Sequence, residues 1–163
     1  MRVVFLDIDG VLVTSRALAG RVGMKSVADQ KCVHALNQLL EASNASLVIS
    51  SAWRFCGLEE IRLILKHWGI RGNVIDITPD LTRQVNGVYL AVERGKEIQC
   101  WLDSKEGITS YVILDDQDPG EHWRASWICT VFDQGLTEEN VRSALRLLVP
   151  LDTETSKNGL NGD

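Results

Sequence analysis

Short apolar runs alternate along the chain with segments whose apolar residues recur at helical spacing. The runs predict β-strands at 2–7, 46–50, 73–77, 110–114 and 127–132. Most of these runs are continuously apolar, as expected for strands that are covered on both faces of a sheet. Strands that alternate with helices are typical of parallel sheets with crossover helices. The sequence therefore predicts an α/β fold, a three-layer Rossmann-like parallel sheet with helices on both faces.

Four segments have the apolar period of a helix, and two of them lie in the first half of the chain. One is predicted over 27–42, with Ser26 as its N-cap and a buried stripe made of Val33, Leu36, Leu39 and Leu40. The other spans about 58–68 and is followed by Gly69, a residue type that commonly ends helices.

Two further helices and a polar tail complete the predicted organisation. The third helix begins near Gly95, and the fourth follows Thr137, whose hydroxyl suits an N-cap. Pro150 then ends regular structure. Because residues 151–163 are polar and rich in Gly and Asn, we expect one domain over 1–150 followed by a disordered tail.

The composition is typical of a globular protein without a membrane span. The 163 residues are 45% hydrophobic and 24% charged, which fits one globular domain with a buried core. The apolar runs are shorter than the roughly 20 residues of a membrane span, so no membrane partner is expected. A net charge of −5 disfavours nonspecific coating of nucleic acid. The four cysteines have no metal-ligand spacing, and we expect buried free thiols, no disulfide-linked partner and a cytoplasmic location.

Two aspartates end the first apolar run. Asp7 and Asp9 lie one residue apart and Gly10 follows Asp9, so a buried strand would deliver both carboxylates to a glycine turn. A solvated turn or a calcium loop is the alternative. The spacing of an EF-hand loop fails, however, because Gly10 follows the second acid where another ligand is needed.

Three later segments bring further polar groups to the same edge of the predicted sheet. Ser50 and Ser51 end the second strand, Asp115 and Asp116 follow the fourth, and Lys96 lies at the start of the third helix. In a parallel α/β sheet, functional groups gather beyond the carboxyl ends of the strands. We therefore expect these distant segments to meet around Asp7.

The residue types at this edge suit phosphoryl transfer. A carboxylate is able to attack phosphorus when the surrounding negative charge is offset, by a lysine for example. A second acid is able to protonate the leaving oxygen and later to deprotonate water. Mg²⁺ prefers carboxylate oxygens, and the candidate ligands are Asp7, Asp9, Asp115 and Asp116.

The chain resembles the haloacid dehalogenase (HAD) superfamily of phosphohydrolases over about residues 1–148. The resemblance rests on four motifs, Asp7-Ile8-Asp9-Gly10-Val11, Leu47-Val48-Ile49-Ser50, Arg94-Gly95-Lys96 and Val112-Ile113-Leu114-Asp115-Asp116. It implies a HAD-like fold in which Asp7 is the nucleophile and Asp9 the acid/base. It also implies that Lys96 is the catalytic cation, that Ser50 or Ser51, with Gly10, contacts phosphate, and that Mg²⁺ is the cofactor.

One branch of that superfamily is the most similar. The segments Ser50-Ser51-Ala52-Trp53-Arg54 and Gly135-Leu136-Thr137-Glu138-Glu139 are similar to those of small HAD domains in RNA-repair proteins. Arg54 has two interpretations, a substrate-binding residue that grips a second phosphate or the partner of a neighbouring acid. Trp53 either stacks on a base or packs in the core.

The spacing of the motifs leaves no room for a cap domain. Only 16 residues, 11–26, separate Gly10 from the first predicted helix, enough for a flap hairpin. The 39 residues between Arg54 and Arg94 are already used by a helix, a strand and the turn-rich segment 78–87. By resemblance, capless members act on large substrates that themselves exclude water from the site.

The leading hypothesis is a Mg²⁺-dependent phosphomonoesterase with an aspartyl-phosphate intermediate. Its expected partner is a phosphorylated substrate, either a nucleic-acid end or another large molecule. One alternative is a small-molecule or nucleotide phosphatase of the same mechanism. Another is a non-catalytic phospho-aspartate signalling module, which would keep its phosphoryl group for hours rather than seconds.

Overall fold

Seven strands are present in the computed structural model, which describes residues 1–19 and 28–149. They are β1 (Arg2–Leu6), β2 (Ser46–Ile49), β3 (Val74–Ile77), β4 (Arg83–Val85), β5 (Val88–Leu90), β6 (Ser110–Asp115) and β7 (Trp127–Cys129). Five of them form a parallel sheet in the order β3-β2-β1-β6-β7. Because β1 is the central strand, whatever follows it lies in the middle of the carboxyl edge.

Five α-helices are described, together with two 3-10 turns at Ala52–Cys56 and Glu121–Ser126. The helices are α1 (Ser15–Ala19), α2 (Gln30–Ser43), α3 (Leu58–Trp68), α4 (Arg94–Asp103) and α5 (Glu138–Leu148). Among the described residues, none of the helices has the length and apolar character needed to cross a membrane.

Both faces of the sheet are covered. Successive side chains of β1 point to opposite faces, so that Val4 and Leu6 join the core formed with α2, α3 and α5. Val3 and Phe5 join a second, smaller core with α4, in which Phe5 meets the Trp101 ring edge-on at 5.4 Å. The predicted three-layer α/β fold with a parallel sheet is therefore confirmed.

The first four sheet strands begin and end within one residue of the predicted positions, but β7 is shorter than predicted. It ends at Cys129 instead of residue 132, because Val131 turns away to form a bridge with Gly135. The helix predicted over 27–42 begins at Gln30, since the Asp29 side chain accepts from the Lys31 N–H and caps it. The predicted N-cap Ser26 lies outside the described residues, as does the predicted tail.

A β-hairpin takes the place of a cap domain between Arg54 and Arg94. Strands β4 and β5 pair antiparallel across Asn86-Gly87, whose φ angles of 52° and 80° suit a two-residue hairpin turn. No cap domain is present in this described segment. Of the segment 11–26, the structure describes a turn and α1 up to residue 19, and the predicted flap hairpin extends outside the described residues.

The four cysteines are free thiols, but they are not all buried. Cys32 is buried, whereas Cys56, Cys100 and Cys129 are exposed. The expectation of four buried thiols is therefore wrong for three of them, because each of the three lies on an outward-facing turn, helix face or strand end.

Candidate active site

Asp7 lies at the centre of the carboxyl edge, immediately after β1. Its backbone N–H donates to the Leu114 carbonyl at 2.9 Å, which continues the pairing of β1 with β6. Its Oδ1 accepts from the Ile8 N–H at 2.8 Å, and the residue is only 4% exposed. The backbone on both sides of Asp7 therefore orients the carboxylate.

Three carboxylates converge at this edge. Oxygens of Asp7, Asp115 and Asp116 lie within 4.8 Å of one another. Asp115 Oδ2 and Asp116 Oδ1 are buried and accept no hydrogen bond from the described residues. Unpaired buried oxygens are costly unless something neutralises them, and an all-oxygen donor set suits a hard divalent cation. These three side chains therefore fit Mg²⁺ and would be the ones to hold it.

Burial and crowding alter the acidity of Asp115 and Asp116. Burial, followed by the nearby Asp7 charge, raises the pKa of Asp115 to about 7. Burial and then Asp7 also raise the pKa of Asp116. Both shifts have the same physical cause, since a carboxylate without solvent and beside another negative charge is harder to ionise.

Arg94 partly offsets this negative charge. Its Nη1 lies 3.5 Å from Asp7 Oδ1 and 3.4 Å from Asp115 Oδ2, so one guanidinium spans both acids. Arg94 is the first residue of α4, and the next residue, Gly95, packs against the backbone of Pro119 and the Trp123 ring. A Cβ on Gly95 would overlap both, so a glycine is needed for α4 to approach this edge.

Ser50 contributes a hydroxyl from the end of β2. Ser50 and Ser51 are both fully buried, yet they differ in their contacts. The Ser51 Oγ caps the following 3-10 turn by accepting from the Trp53 N–H at 3.4 Å. The Ser50 Oγ has no hydrogen-bond partner among the described residues. Of the two serines, Ser50 is therefore the one whose hydroxyl is not used within the described part of the protein.

Gly10 lets the turn after β1 lie against the acidic cluster. Its φ of +77° is in the left-handed region, and a Cβ at this position would lie 2.5 Å from the Asp116 carboxyl carbon. Any other residue would therefore push Asp116 out of place. The contribution of Gly10 to the site is close packing against a candidate metal ligand.

Comparison with known proteins bears on this arrangement. A family profile described as the HAD domain in Swiss Army Knife RNA repair proteins matches residues 3–141. The chain belongs to this family. The match spans every group described above and confirms the resemblance seen in the motifs, and it supports a HAD-type hydrolase in general. No curated protein and no solved structure was found to match the chain.

In this HAD domain, Lys96 does not lie where the sequence interpretation puts it. Its side chain is 66% exposed, and its ammonium group pairs with Glu93 at 3.4 Å. Within the described residues it makes no ion pair with the acidic cluster. Two residues along a helix correspond to a rotation of about 200° around its axis. Arg94 and Lys96 therefore leave α4 on nearly opposite sides, and Arg94 is the one on the side of the cluster. The cation beside the candidate nucleophile is thus Arg94.

The spacing of buried residues on α4 indicates that Arg94, and not Lys96, is the cation that faces the sheet. Ile98 and Trp101 are buried on α4, four and seven residues after Arg94, so the three share one face of the helix. Lys96 is out of phase with them. The sequence interpretation takes Lys96 from the third motif of the resemblance and does not compare its phase with that of Ile98 and Trp101.

Asp9 also differs from its predicted place among the metal ligands. It is exposed, and its carboxylate is not one of the three that converge. Its Oδ2 instead accepts from the Trp53 indole Nε1 at 2.9 Å. The Trp53 ring is half-buried and meets the Trp68 ring edge-on at 5.5 Å, which agrees with the core-packing interpretation.

Arg54 is used inside the protein, contrary to the interpretation in which it grips substrate. It is 9% exposed, its Nη2 lies 2.7 Å from the Glu97 carboxylate, and its Nη1 donates to the Ser51 carbonyl. Glu97 also accepts from the Leu81 N–H at 3.3 Å. The guanidinium therefore holds α4 and the start of the hairpin segment against the turn that follows β2. This agrees with the second interpretation of Arg54, in which it pairs with a neighbouring acid.

Proposed function

We propose that this HAD domain is a Mg²⁺-dependent phosphomonoesterase that forms an aspartyl-phosphate on Asp7. The observation that carries the proposal is the meeting of three carboxylates, two of them on buried residues, with one guanidinium directly after the central strand. A structural role alone gives no reason to place three acids beside each other and to leave buried oxygens of Asp115 and Asp116 without a hydrogen bond.

The side chains supply a role for each part of phosphoryl transfer. When bound, Mg²⁺ supplies positive charge that offsets the carboxylates and polarises the phosphoryl group. Asp7 attacks phosphorus, and the bond from phosphorus to the leaving oxygen breaks. Arg94 stabilises the charge that develops on the phosphoryl oxygens, and the Ser50 hydroxyl donates to one of them.

Asp9 completes the cycle as general acid and base. It gives its proton to the leaving oxygen, which departs as an alcohol, and becomes a carboxylate. The same carboxylate then takes a proton from the water that attacks the aspartyl-phosphate. Cleavage of the acyl-phosphate bond releases inorganic phosphate and regenerates the Asp7 carboxylate. The second acid supports hydrolysis rather than storage of the phosphoryl group.

The proposed substrate is a terminal phosphate on a polynucleotide or on another large partner. Two features support a large substrate. Between Arg54 and Arg94 there is a hairpin and no cap domain, so the substrate itself would have to exclude water from the site. The family to which the chain belongs is described by its occurrence in RNA repair proteins.

The nucleophile is tested with Asp7→Asn. We expect phosphate release to fall by about 10⁴-fold or more. The unfolding free energy should not decrease, because the substitution removes one of three crowded negative charges. Asp118→Asn is the matched control, since Asp118 is an exposed acid that pairs with Arg124. Magnesium-dependent activity retained by Asp7→Asn would refute the proposed mechanism.

The substrate is tested by measuring phosphate release with and without Mg²⁺. The panel comprises 3′- and 5′-phosphorylated oligonucleotides, mononucleotides, sugar phosphates and phosphopeptides. We expect the highest kcat/KM with an oligonucleotide end. A preference for mononucleotides or sugar phosphates would instead identify a small-molecule phosphatase. A phosphoenzyme that persists for hours would contradict hydrolysis and indicate signalling.

A further inference from the structure

A hydrogen bond outside the acidic cluster joins two turns at the carboxyl edge of the sheet. The Trp53 indole, on the turn after β2, donates from Nε1 to Asp9 Oδ2 at 2.9 Å. Asp9 lies on the turn after β1. Among the described residues, no other hydrogen bond to the Asp9 side chain is present. The indole is therefore the one group of the described protein that orients this carboxyl.

The donor is held in place independently of Asp9. The Trp53 ring packs edge-on against Trp68 of α3, a residue that is itself buried in the larger core. The Trp53 backbone N–H donates to the Ser51 Oγ, which anchors the start of the turn. The ring of Trp53 is thus held by packing and its backbone by a hydrogen bond. Its indole N–H therefore points at Asp9 whether or not Asp9 accepts from it.

An indole N–H has a property that matters for a carboxyl that must exchange protons. It donates one hydrogen bond and accepts none, so it never takes the proton that the carboxyl carries. By engaging Oδ2, it leaves Oδ1 as the oxygen that bears the proton. A donor of this kind fixes both the rotamer of the acid and which of its two oxygens faces the reacting atoms.

We infer that Trp53 is a positioning residue that holds Asp9 for proton transfer, an assignment that rests on the proposed function. With Oδ2 held by the indole, Asp9 Oδ1 delivers its proton to the leaving oxygen as the phosphorus–oxygen bond breaks. The carboxylate that results takes a proton from the attacking water in the next step. Trp53 itself gains and loses no proton.

Trp53→Phe tests the assignment, because it keeps an aromatic ring against Trp68 and removes the N–H. The probe is a series of aryl phosphates, from p-nitrophenyl phosphate, whose leaving group departs without a proton, to phenyl phosphate, whose leaving group needs one. Release of the phenol is followed in single-turnover experiments with Mg²⁺ and enzyme in excess.

Trp101→Phe is the matched control. The Trp101 indole donates to Asp76 Oδ2, also at 2.9 Å, so the control loses the same kind of hydrogen bond. Asp76 lies on β3 and is not a member of the candidate site. Circular dichroism verifies that each variant is folded. If Trp53→Phe is not, benzothienylalanine at position 53 keeps both rings and lacks the N–H.

We expect Trp53→Phe to slow the release of phenol by about tenfold, the effect of one lost hydrogen bond to an ionisable group. Release of p-nitrophenol should change by less than about twofold, because its departure needs no general acid. Trp101→Phe should leave the ratio of the two rates at the wild-type value. Equal slowing of both substrates by Trp53→Phe, or of neither, would overturn the assignment while leaving the phosphatase intact. An inactive wild-type protein would overturn both.

A second measurement does not depend on turnover. The five tryptophans give five indole N–H signals in a ¹H–¹⁵N spectrum, and Trp53→Phe identifies the one that belongs to Trp53. We expect Asp9→Ala to shift that signal and to leave the Trp101 signal unchanged. A Trp53 signal that does not respond to Asp9→Ala would show that the hydrogen bond is absent in solution, and the assignment would fail.

Discussion

At the scale of single residues, the acidic cluster is governed by the opposite charges of Arg94 and Asp115. The Asp115 carboxyl is fully buried, and its pKa is raised to about 7, first by burial and then by Asp7. The guanidinium of Arg94 acts in the opposite direction on the same carboxyl. Because one arginine faces three acids, negative charge exceeds positive charge in this cluster, and a divalent cation would neutralise the excess.

Cation binding should therefore release protons. Below pH 7 Asp115 is largely protonated and must lose its proton before it can bind a metal, whereas above pH 7 it is already ionised. We expect Mg²⁺ affinity to rise from pH 6 to pH 8, with about one proton released at pH 6 and fewer at pH 8. Titration calorimetry in two buffers of different ionisation enthalpy measures that number. Affinity independent of pH would contradict the raised pKa.

Arg94 and Lys96 should differ sharply when each is replaced by methionine. Arg94→Met removes the charge next to Asp7 and should lower kcat/KM by about 10²-fold or more. Lys96→Met removes only an exposed pair with Glu93 and should change kcat/KM by less than about threefold. Steady-state phosphate release compares the two variants. A larger loss for Lys96→Met would restore the interpretation drawn from the sequence.

At the scale of elements, α5 shows how local sequence decides where a helix begins. The Thr137 Oγ accepts from the Asn140 N–H, and the Asn140 side chain accepts from the Thr137 N–H, which makes a reciprocal capping box. Both residues lie before the buried stripe that includes Val141 and Leu148. The predicted N-cap is confirmed here because the pattern depends on neighbouring residues alone.

Thr137→Ala should lower the free energy of unfolding by about 1 kcal/mol, because it leaves helix N–H groups without an acceptor. Ser143→Ala, in the interior of the same helix, should instead raise the free energy of unfolding by about 0.5 kcal/mol, because alanine has the higher helix propensity. Urea denaturation at equilibrium measures both. Loss of stability in both variants would show that side-chain packing, and not capping, controls this helix.

The elements that sequence reasoning missed are the ones whose signals are short. The β4–β5 hairpin is not predicted, because the turn-rich segment 78–87 covers β4 and the turn but not β5, although Asn86-Gly87 lies between two short runs of extended residues. Its strands have three residues each and are exposed, so they lack the apolar alternation of a buried strand. Lys96 is chosen over Arg94 by its resemblance to the third motif, which does not take account of the phase of α4.

At the scale of the whole molecule, the alternation of strands and helices predicts a parallel sheet, and the carboxyl edge of that sheet predicts where the site lies. The motifs predicted that Asp7, Ser50 and Asp115 would meet at one edge, and all three lie there. What the sequence could not contain is the pairing of side chains across that edge. The bonds from Trp53 to Asp9 and from Arg54 to Glu97 depend on how separate turns pack.

The buried Arg54–Glu97 pair connects three separate segments of the chain. Replacing only one of the two residues should lower the free energy of unfolding substantially. Glu97→Gln leaves the Arg54 charge buried beside one partly exposed acid, Asp80, and should destabilise the fold by about 3 kcal/mol. Arg54→Met should cost a similar amount. The double variant should cost clearly less than the sum, because neither charge is then left alone. Denaturant unfolding of the four proteins measures the coupling, and additive losses would contradict it.

The central position of β1 has a consequence for how the protein is made. On one side β1 pairs with β2, and on the other it pairs with β6, where Arg2 is the partner of Ser110. Asp7 is therefore synthesised well before Asp115 and Asp116, the two acids that converge on it. Contacts this distant in sequence form slowly, and an unfinished sheet exposes apolar edges. A nascent chain that ends before Ser110 carries Asp7 but lacks Asp115 and Asp116, so the acidic cluster cannot form until β6 and the residue after it have been synthesised.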